Sequence, residues 1–570
     1  MNRAERRRQE KFSKQPGSDD HLPQIRTLFS EAVAHHQARR FQQAEELYER
    51  ILGLDPVHAD ALHLLGVAAY QQGNSAKAIT LISQAISYDP KKSHYCFNLG
   101  LALEKEGRLD EAMAAYQKAL ALNPSYTDAQ SNLGNVFRAQ GNLGAAAEAF
   151  QAVLKINPRS AETHNNLGVV RKEQGDLDGA IREYRAALQL NPAHAEALNN
   201  LGVAYKEKGW LDEAKSSFQQ ALAQKPHYAN AHYNLGLVCL WQQHLEEAMV
   251  CFLRSADLTF NHQKPASLRY VAKARVKHDL EQVQYLLKHS VVSDLPASYL
   301  EGLQALYQRM LKDSDPSWVM SLTRQEQMQC APSFNRILHY PQAERLPEGA
   351  LNPDLNISDI EARYHQNKPE VMYVDHLLNP AALTSLRRFC LESTIWKRDY
   401  QNGYIGAFLA NGFSCPLLLQ ISEELRLRFP GIFKNHLLAQ AWAFKYDSAL
   451  RGLNMHADAA AVNVNFWITP DEANLDPGSG GLIVWNKEAP DEWDFKEYNN
   501  EKNAGKIRAF LDRNHAVAVT IPHRQNRAVI FNSNLFHKTD NLSFQDTYEN
   551  RRINVTLLYG YRQKAENTLR

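Results

Sequence analysis

Residues 166–199 read NLGVVRKEQGDLDGAIREYRAALQLNPAHAEALN, and residues 200–233 read NLGVAYKEKGWLDEAKSSFQQALAQKPHYANAHY, so one pattern returns after 34 residues. The same step repeats one proline column and one glycine column, at Pro56, Pro90, Pro124, Pro158, Pro192 and Pro226, and at Gly66, Gly100, Gly134, Gly168, Gly202 and Gly236. A second glycine column occupies residues 73, 107, 141, 175 and 209. A fixed period of this size is typical of arrays in which each unit stacks on its neighbours.

Each unit is predicted to fold as two helices. A glycine lies near the turn between them, a proline closes the second helix, and an alanine precedes an aromatic residue by four positions, as in Ala180 and Tyr184. The small residues let the helices approach closely, and the aromatic rings fill the space between helix pairs. Because no unit can bury its apolar face alone, we expect the units to stack into a superhelix.

This pattern resembles the tetratricopeptide repeat family, and the resemblance covers residues 23–260 in seven units. The first unit has Ala32 and Arg39 in its glycine columns, and the last has Gln243 and Phe260 in place of glycine and proline. Atypical end units are expected where an array is capped. Such an array has a concave surface, so we expect a protein or peptide to bind in that groove.

One column on the predicted first helices is asparagine, two residues before each glycine. Its members are Asn98, Asn132, Asn166, Asn200 and Asn234. An amide offers both a donor and an acceptor, so this ladder can pair with the backbone of an extended peptide. The column is similar to that of the O-linked N-acetylglucosamine transferases, where it grips substrate peptides. The alternative is that Asn-Leu-Gly is a common sequence in this helix and that the asparagines have no role in binding.

Composition excludes several classes of protein. The formal net charge is +1, and no apolar run is long enough to span a bilayer, so no nucleic-acid or membrane partner is expected. The six cysteines are scattered, which predicts free thiols in a reducing compartment. Residues 1–22 lack the apolar segment of a secretory signal and are predicted to be a disordered tail, so we expect a cytoplasmic protein. The oligomeric state stays open.

The pattern changes after the repeats. Residues 261–365 lose the period but keep helical spacing at residues 267–289 and 296–312, which predicts a helical connector or cap. Short strands with Gly, Pro and Asn turns then predict a jelly-roll domain over residues 366–563, before a tail at residues 564–570. The predicted strands span residues 371–375, 439–446, 454–458, 461–469, 481–486, 516–521, 528–532 and 553–560, and a helix spans residues 379–392. The predicted fold class is therefore multidomain, an all-α solenoid followed by a β domain.

Three residues of the β domain predict a metal site. His456 and Asp458 are two positions apart, so both point to the same face of a strand, and His537 follows from a distant strand. Two imidazoles and one carboxylate are the ligands that hold a non-heme Fe(II) and leave coordination positions open. Arg552, which opens the last strand, offers a planar cation for a carboxylate.

These residues belong to an ordered set, which is Tyr446, His456, Asp458, Gly480, Gly481, Leu482, the stretch Arg527–Phe531, His537 and Arg552. Over residues 369–563 this set resembles the Fe(II)- and 2-oxoglutarate-dependent dioxygenases, in particular their prolyl-hydroxylase-like branch. The resemblance implies a double-stranded β-helix with Fe(II) on the two histidines and Asp458. It also implies 2-oxoglutarate and O2 as co-substrates, with Arg552 and Tyr446 binding the far carboxylate of 2-oxoglutarate. The intact carboxylate ligand favours hydroxylation over halogenation.

Two features depart from the compact members of that family. His537 lies 81 residues after His456, and the excess falls in residues 487–525, which are predicted to form a lid or substrate loop. Arg551 stands beside Arg552. Alternation along the last strand places Arg552, Asn554 and Thr556 on one face, which favours Arg552, with Arg551 as the alternative.

The sequence therefore predicts an enzyme, a 2-oxoglutarate-dependent dioxygenase that hydroxylates a protein or peptide recruited by the repeats. Two alternatives remain. The oxygenase could act on a small molecule while the repeats serve assembly, or the chain could be a non-catalytic binding scaffold. A glycosyltransferase is not expected, because no nucleotide-sugar site follows residue 261.

Overall fold

The computed structural model divides the chain into two compact units, Met1–Trp210 and Leu211–Arg570. The structure describes residues 21–262, 269–293, 295–330, 333–433, 435–447, 455–490, 492–493, 498–499 and 503–560. The tail predicted at residues 564–570, and all but two residues of the tail predicted at residues 1–22, lie outside these ranges. The predicted domain bounds, drawn from the sequence pattern, stay a prediction.

The first unit is built from helix pairs that follow the 34-residue period. Its described helices are α1 Leu22–Gln37, α2 Phe41–Leu54, α3 Ala59–Gln71, α4 Ser75–Tyr88, α5 Ser93–Lys105, α6 Leu109–Leu122, α7 Thr127–Ala139, α8 Leu143–Ile156, α9 Ala161–Glu173, α10 Leu177–Leu190 and α11 Ala195–Glu207. From α2 onward, each second helix ends two residues before a proline of the proline column. The structure thus confirms the predicted two-helix unit.

The first glycine column and the aromatic column form one contact. A Cβ atom on Gly100 would lie 2.4 Å from the ring of Tyr116, and one on Gly168 would lie 2.6 Å from the ring of Tyr184. Both rings are fully buried. Only glycine lets the first helix of a unit approach the aromatic ring of the second this closely.

The second glycine column serves the turn between the two helices. Gly141 has a φ of 79°, in the left-handed region that residues with a side chain rarely adopt. In the atypical first repeat, the equivalent position holds Arg39, with a φ of 56°. The turn therefore keeps its conformation even where the glycine is missing.

The second unit begins with three helices of the repeat pattern, α12 Leu211–Gln224, α13 Ala229–Trp241 and α14 Leu245–Phe260. This helical end packs onto the β region and the connector. The indole N–H of Trp241 donates to the backbone carbonyl of Leu438 over 2.7 Å, and Arg336 Nη1 donates to the carbonyl of Asn261 over 2.8 Å. The last repeat is therefore part of the same compact body as the predicted oxygenase.

A connector follows, and its described elements are β1 Tyr270–Ala272, α15 Lys273–Lys288, α16 Ala297–Lys312, β2 Val319–Ser321, α17 Arg324–Cys330 and α18 Ile357–Gln366. The helix predicted at residues 267–289 is wrong at its start, because β1 pairs antiparallel with β2 before α15 begins. The α15 helix lies against the β region, where Gln282 Nε2 donates to the carbonyls of Leu391 and Ser393 over 3.2 and 2.8 Å.

The β region contains two antiparallel sheets. Its elements are β3 Val371–Val374, α19 Pro380–Glu392, β4 Arg398–Asp399, β5 Tyr404–Phe408, α20 Pro416–Arg428, α21 Pro430–Phe433, β6 Leu438–Tyr446, β7 Val462–Trp467, β8 Leu482–Glu488, α22 Ala504–Arg513, β9 Ala518–Ile521, β10 Ala528–Asn532, β11 Leu535–Thr539 and β12 Ile553–Tyr559. The strand orders are β3-β10-β7-β12-β6-β5-β4 and β11-β8-β9. Buried residues of both sheets share one apolar cluster, which contains Trp467, Phe531, Val484 and Leu535.

Most predicted strands of this region agree with the structure within two residues. The strand predicted at residues 454–458 is wrong, because the described part holds only an isolated bridge at His456, and Asn454 lies outside the described residues. The sequence prediction missed α20 and α21, and it gave no bounds for β4, β5 or β11. All six cysteines are buried free thiols. Among the described helices, none has the length and apolar character needed to cross a membrane.

Candidate metal centre

The two histidines of the predicted triad are brought together by backbone pairing. His456 and His537 form an antiparallel bridge, with the N–H of His456 donating to the His537 carbonyl over 3.0 Å and the reverse bond at 2.8 Å. The N–H of Asp458 donates to the carbonyl of Ser533 over 3.1 Å. The segment that carries His456 and Asp458 is thus fixed against the turn between β10 and β11.

The side chains of His456, Asp458 and His537 converge. Asp458 Oδ1 lies 3.9 Å from His456 Nε2, and Asp458 Oδ2 lies 3.4 Å from His537 Nε2. One ligand atom from each residue lies within 4.8 Å of the others. Ligands about 2.1 Å from a metal and at right angles to each other lie about 3 Å apart. Two imidazole nitrogens and one carboxylate oxygen at this spacing are suited to a divalent transition metal.

Neighbouring groups orient two of these ligands. His537 Nδ1 lies 3.0 Å from the carbonyl of Leu535, which leaves Nε2 turned toward Asp458. Asn463 Nδ2 donates to Asp458 Oδ2 over 2.8 Å. Burial alone would raise the pKa of Asp458, but its bond with His537, the nearby imidazoles and the Asn463 amide together lower that pKa below its ordinary value.

A cavity beside the triad contains the predicted arginine. It is lined by Trp442, Phe444, Tyr446, His456, Asp458, Asn463, Asn465, Leu482, His537, Thr539, Arg552, Asn554 and Thr556. The alternation predicted for β12 is therefore seen, since Arg552, Asn554 and Thr556 all face this cavity. The sequence prediction did not single out Asn463 and Asn465. The sequence signal that could have identified them is the pair of polar residues at alternate positions of the otherwise apolar stretch 462–466.

Arg552 is a buried cation that forms no ion pair with a carboxylate of the described residues, although the charge of Asp540 acts on it. It is 2% exposed, and no carboxylate of the described residues lies within ion-pair distance of it. Its Nε donates to the carbonyl of Gly480 over 2.6 Å, and its Nη2 and Nη1 contact Gly481 and Asn554 over 3.2 Å each. Burial lowers the pKa of Arg552, since desolvation disfavours the charged guanidinium. A bound carboxylate would compensate for that loss.

Arg551 has a different role. Its Nη2 lies 2.6 Å from Glu281 of α15 and 3.6 Å from Asp447, and it is as deeply buried as Arg552. The guanidinium of Arg551 is therefore already paired with carboxylates, one of which belongs to the connector helix α15. Of the two arginines, Arg552 is the one that lines the cavity.

Tyr446 lies beside Arg552. The guanidinium carbon of Arg552 is 4.7 Å from the centre of the Tyr446 ring and 5.6 Å from that of Trp467. The Tyr446 hydroxyl is 3.3 Å from Thr539 Oγ1, and burial raises the pKa of this tyrosine. A neutral hydroxyl next to the guanidinium can donate a hydrogen bond to a carboxylate held there.

The predicted asparagine column lies on the first helix of successive units, and all five members are half-buried. Four of the five asparagines belong to the compact unit Met1–Trp210 and bond neighbouring side chains. Asn98 Nδ2 is 2.8 Å from His63 Nε2, and Asn200 Nδ2 donates to Asn165 Oδ1 over 3.0 Å. Asn132 bonds Tyr116, and Asn166 accepts from Asn165 over 3.4 Å. Asn234 lies in the second unit.

The described part of the long insert, residues 487–525, does not line the cavity. Its helix α22 instead buries Ile507 and Leu511 in a cluster with Met455, Ala457 and Phe536, which are chain neighbours of the two histidines. The lid role stays a prediction, and part of the insert lies outside the described residues.

Comparison with known proteins identifies the repeats. A tetratricopeptide repeat model matches residues 29–93, 65–127, 97–161 and 131–181, and a TPR repeat model matches residues 170–209 and 204–243. Residues 29–243 are therefore tetratricopeptide repeats, as the sequence predicted. No curated protein matches the chain.

Solved structures are similar over part of the chain. MamA is 25% identical, covering 29% of this chain and 96% of its own, with a TM-score of 0.28. YrrB, a TPR protein with an unusual peptide-binding site, is 26% identical, covering 32% of this chain and 93% of its own, with a TM-score of 0.27. A tetratricopeptide repeat protein from Parabacteroides merdae ATCC 43184 is 19% identical, covering 42% and 94%, with a TM-score of 0.37.

Proposed function

We propose that this chain is an Fe(II)- and 2-oxoglutarate-dependent dioxygenase that hydroxylates a protein or peptide recruited by its tetratricopeptide repeats. One observation carries the proposal. A His, Asp and His triad and a buried arginine without a carboxylate partner among the described residues line the same cavity. A metal site alone has many uses, but a metal site beside an unpaired buried cation is suited to a ligand that carries two anionic ends.

The donor set fits Fe(II). Two imidazoles and one carboxylate would hold the metal and leave coordination positions open for other ligands. When bound, the iron supplies the positions at which the keto acid end of 2-oxoglutarate and O2 meet. The antiparallel sheets, with the triad on the three-stranded sheet and the segment beside it, support the double-stranded β-helix that the family resemblance implies.

The residues that line the cavity then have separate roles. The guanidinium of Arg552 binds the far carboxylate of 2-oxoglutarate, and the rings of Tyr446 and Trp467 keep water from it. Asn463 keeps Asp458 oriented, because its amide donates to the carboxylate oxygen that faces His537. Asn463 Oδ1 and Asn465 Oδ1 are buried without a hydrogen-bond partner among the described residues, so they accept from whatever fills the cavity.

The repeats support a macromolecular substrate. Arrays of this kind present an extended surface that a peptide can follow over several units. The asparagines lie on successive first helices, and we propose that their amide groups lie along that surface. We therefore propose recruitment of a protein by the repeats, followed by hydroxylation of a C–H bond in that protein.

The direct test is turnover by the full chain with Fe(II), 2-oxoglutarate and O2. We expect release of succinate, and its loss to background in His456→Ala and in Asp458→Ala. His289→Ala is a matched control, since His289 does not line the cavity: its ring lies 4.4 Å from that of Tyr285, and its Nε2 lies 3.4 Å from Glu549. Equal succinate release in wild type, His456→Ala and Asp458→Ala would exclude the iron assignment.

A second measurement identifies the substrate class. Proteins captured by Asp458→Ala would be treated with the wild-type enzyme and searched for +16 Da shifts by mass spectrometry. Succinate release stimulated by captured proteins supports the proposal. Stimulation by metabolites alone would point to a small-molecule substrate, and the absence of any turnover would leave the binding scaffold.

A further inference from the structure

The insert contacts the backbone of the segment that carries two metal ligands. Ala457 stands between His456 and Asp458. Its N–H donates to the carbonyl of Tyr498 over 3.3 Å, and its carbonyl accepts from Asn499 Nδ2, also over 3.3 Å. Both polar backbone groups of Ala457 are therefore bonded to two consecutive residues of the insert.

Apolar packing joins the same two parts. Met455, Ala457 and Phe536 lie in one buried cluster with Ile507 and Leu511 of α22. Met455 and Ala457 flank His456 in the chain, and Phe536 precedes His537. The cluster therefore includes the immediate neighbours of both imidazole ligands.

Aromatic contacts extend this packing to the start of the insert. The ring of Phe536 lies 5.9 Å from that of Phe510 and 6.2 Å from that of Trp493. The Lys506 ammonium lies 4.2 Å from the centre of the Trp493 ring. The Trp493 and Phe536 rings pack edge to face, and the Phe510 and Phe536 rings are tilted by 58° to each other, so the three rings restrict one another in orientation.

Alternation along the chain connects these contacts to the metal centre. The side chains of His456 and Asp458 face the cavity, whereas those of Met455 and Ala457 face the insert. A shift of the insert would therefore move the two ligands together. Groups that hold metal ligands from outside the coordination sphere set metal affinity, and their loss typically lowers it by 10–100-fold.

We propose that Asn499 is a positioning residue for the metal ligands, and that the insert acts as a clamp on the segment His456–Asp458. The part of this inference that concerns metal affinity rests on the proposed function. The clamp itself is a contact between two segments, and it holds the backbone with or without a metal.

The test compares two asparagines of the insert in the full-length protein. Asn499→Ala removes the donor to Ala457. Asn514→Ala is the matched control, because Asn514 Nδ2 also donates to a backbone carbonyl of the insert, that of Phe510 over 2.8 Å, and not to the segment His456–Asp458. Co(II) affinity, followed by absorption of the bound ion, should fall about 10-fold in Asn499→Ala. It should change less than about twofold in Asn514→Ala.

A second readout needs no metal. Hydrogen–deuterium exchange of peptides that cover residues 455–460 should be faster in Asn499→Ala than in wild type or Asn514→Ala. The half-buried position of Asn499 favours a folded variant, and Asn499→Ser, which keeps a shorter polar group, is the second substitution.

The outcomes separate this inference from the proposed function. Equal Co(II) affinity and equal exchange in both variants would overturn the clamp and leave the oxygenase proposal standing. A wild-type protein that binds no Co(II) would overturn the proposed function. In that case, faster exchange in Asn499→Ala would still support the clamp, and unchanged exchange would overturn it.

Discussion

The cavity of the β region and the asparagine column of the repeats differ in whether their polar side chains already have partners. In the cavity, Arg552 is buried without a carboxylate partner among the described residues, and the oxygens Asn463 Oδ1 and Asn465 Oδ1 accept no hydrogen bond there. In the column, Asn98 and Asn200 are half-buried and already bond other side chains of the repeats.

This difference indicates what each region gains from a ligand. A buried polar group without a partner is destabilising by about 1–3 kcal/mol, so a ligand that supplies the partner binds strongly. An amide that already has a partner must exchange one hydrogen bond for another, and the net gain is small. The cavity is therefore suited to a small anionic ligand held tightly, and the repeat surface to a long partner held by many weak contacts.

The largest effect is expected at Arg552. Arg552→Ala should weaken 2-oxoglutarate binding by about 3 kcal/mol, or roughly 100-fold, because two charge-assisted bonds to the carboxylate are lost. The KM for 2-oxoglutarate, measured by succinate release, and the affinity of the Co(II) form for 2-oxoglutarate would both report it. Co(II) affinity itself should stay unchanged.

Arg551→Ala is the contrasting variant. Removing Arg551 takes that cation away from the buried carboxylate of Asp447 and the half-buried carboxylate of Glu281. The free energy of unfolding should fall by about 3 kcal/mol, with little change in the KM for 2-oxoglutarate. A loss of 2-oxoglutarate affinity in Arg551→Ala, but not in Arg552→Ala, would reverse the assignment of the two arginines.

A smaller effect is expected at His63, a buried member of the repeats. Burial, together with the charge of His94, lowers the pKa of His63 to about 3. The unfolded chain therefore takes up the proton first as the pH falls below about 6.5, so stability present above that pH is lost toward pH 3. Between pH 7 and pH 5 this residue should account for about 2 kcal/mol of lost stability.

His63→Phe tests this dependence, since Phe97 occupies the same position of the next unit. Urea unfolding of the full chain, followed by its helical circular dichroism signal, would be compared at pH 7 and pH 5. The variant should lose about 2 kcal/mol less than wild type over that interval. An equal loss in both proteins would show that His63 stays unprotonated in the unfolded chain or protonates in the folded one.

The repeat contacts could be predicted because they are local and periodic. Gly100 meets Tyr116 and Gly168 meets Tyr184, each within one repeat, so the glycine and aromatic columns report the same contact in both. The candidate ligands could be predicted for another reason. His456 and Asp458 are two positions apart, and the motif keeps the order of the family it resembles. Both features can be read without knowledge of the fold.

The remaining features depend on contacts between distant segments. The apolar alternation of β7 predicted a buried strand, but not that Asn463 would bond Asp458. The long separation between His456 and His537 predicted an insert. No local sequence pattern, however, indicates that the carbonyl of Tyr498 accepts from the N–H of Ala457. Likewise, Glu281 and Arg551 are 270 positions apart, and only the fold reveals that the connector helix neutralises that arginine.

The smallest effect is expected at the asparagine column, and it decides whether the column binds substrate at all. Asn132, Asn166 and Asn200 would be replaced together by alanine. Each amide contributes about 0.5–1.5 kcal/mol net at most, and it first gives up a bond within the repeats, so the KM for the protein substrate should rise about 10-fold. Succinate release without the protein substrate should not change, because these residues lie in the first unit and the cavity in the second. The matched control replaces Asn123, Asn157 and Asn191, which recur with the same period on turns and accept from backbone N–H groups over 3.2 Å. An equal KM in the two triple variants would assign the column to helix structure alone, and the protein substrate would then have to be bound by other residues of the chain.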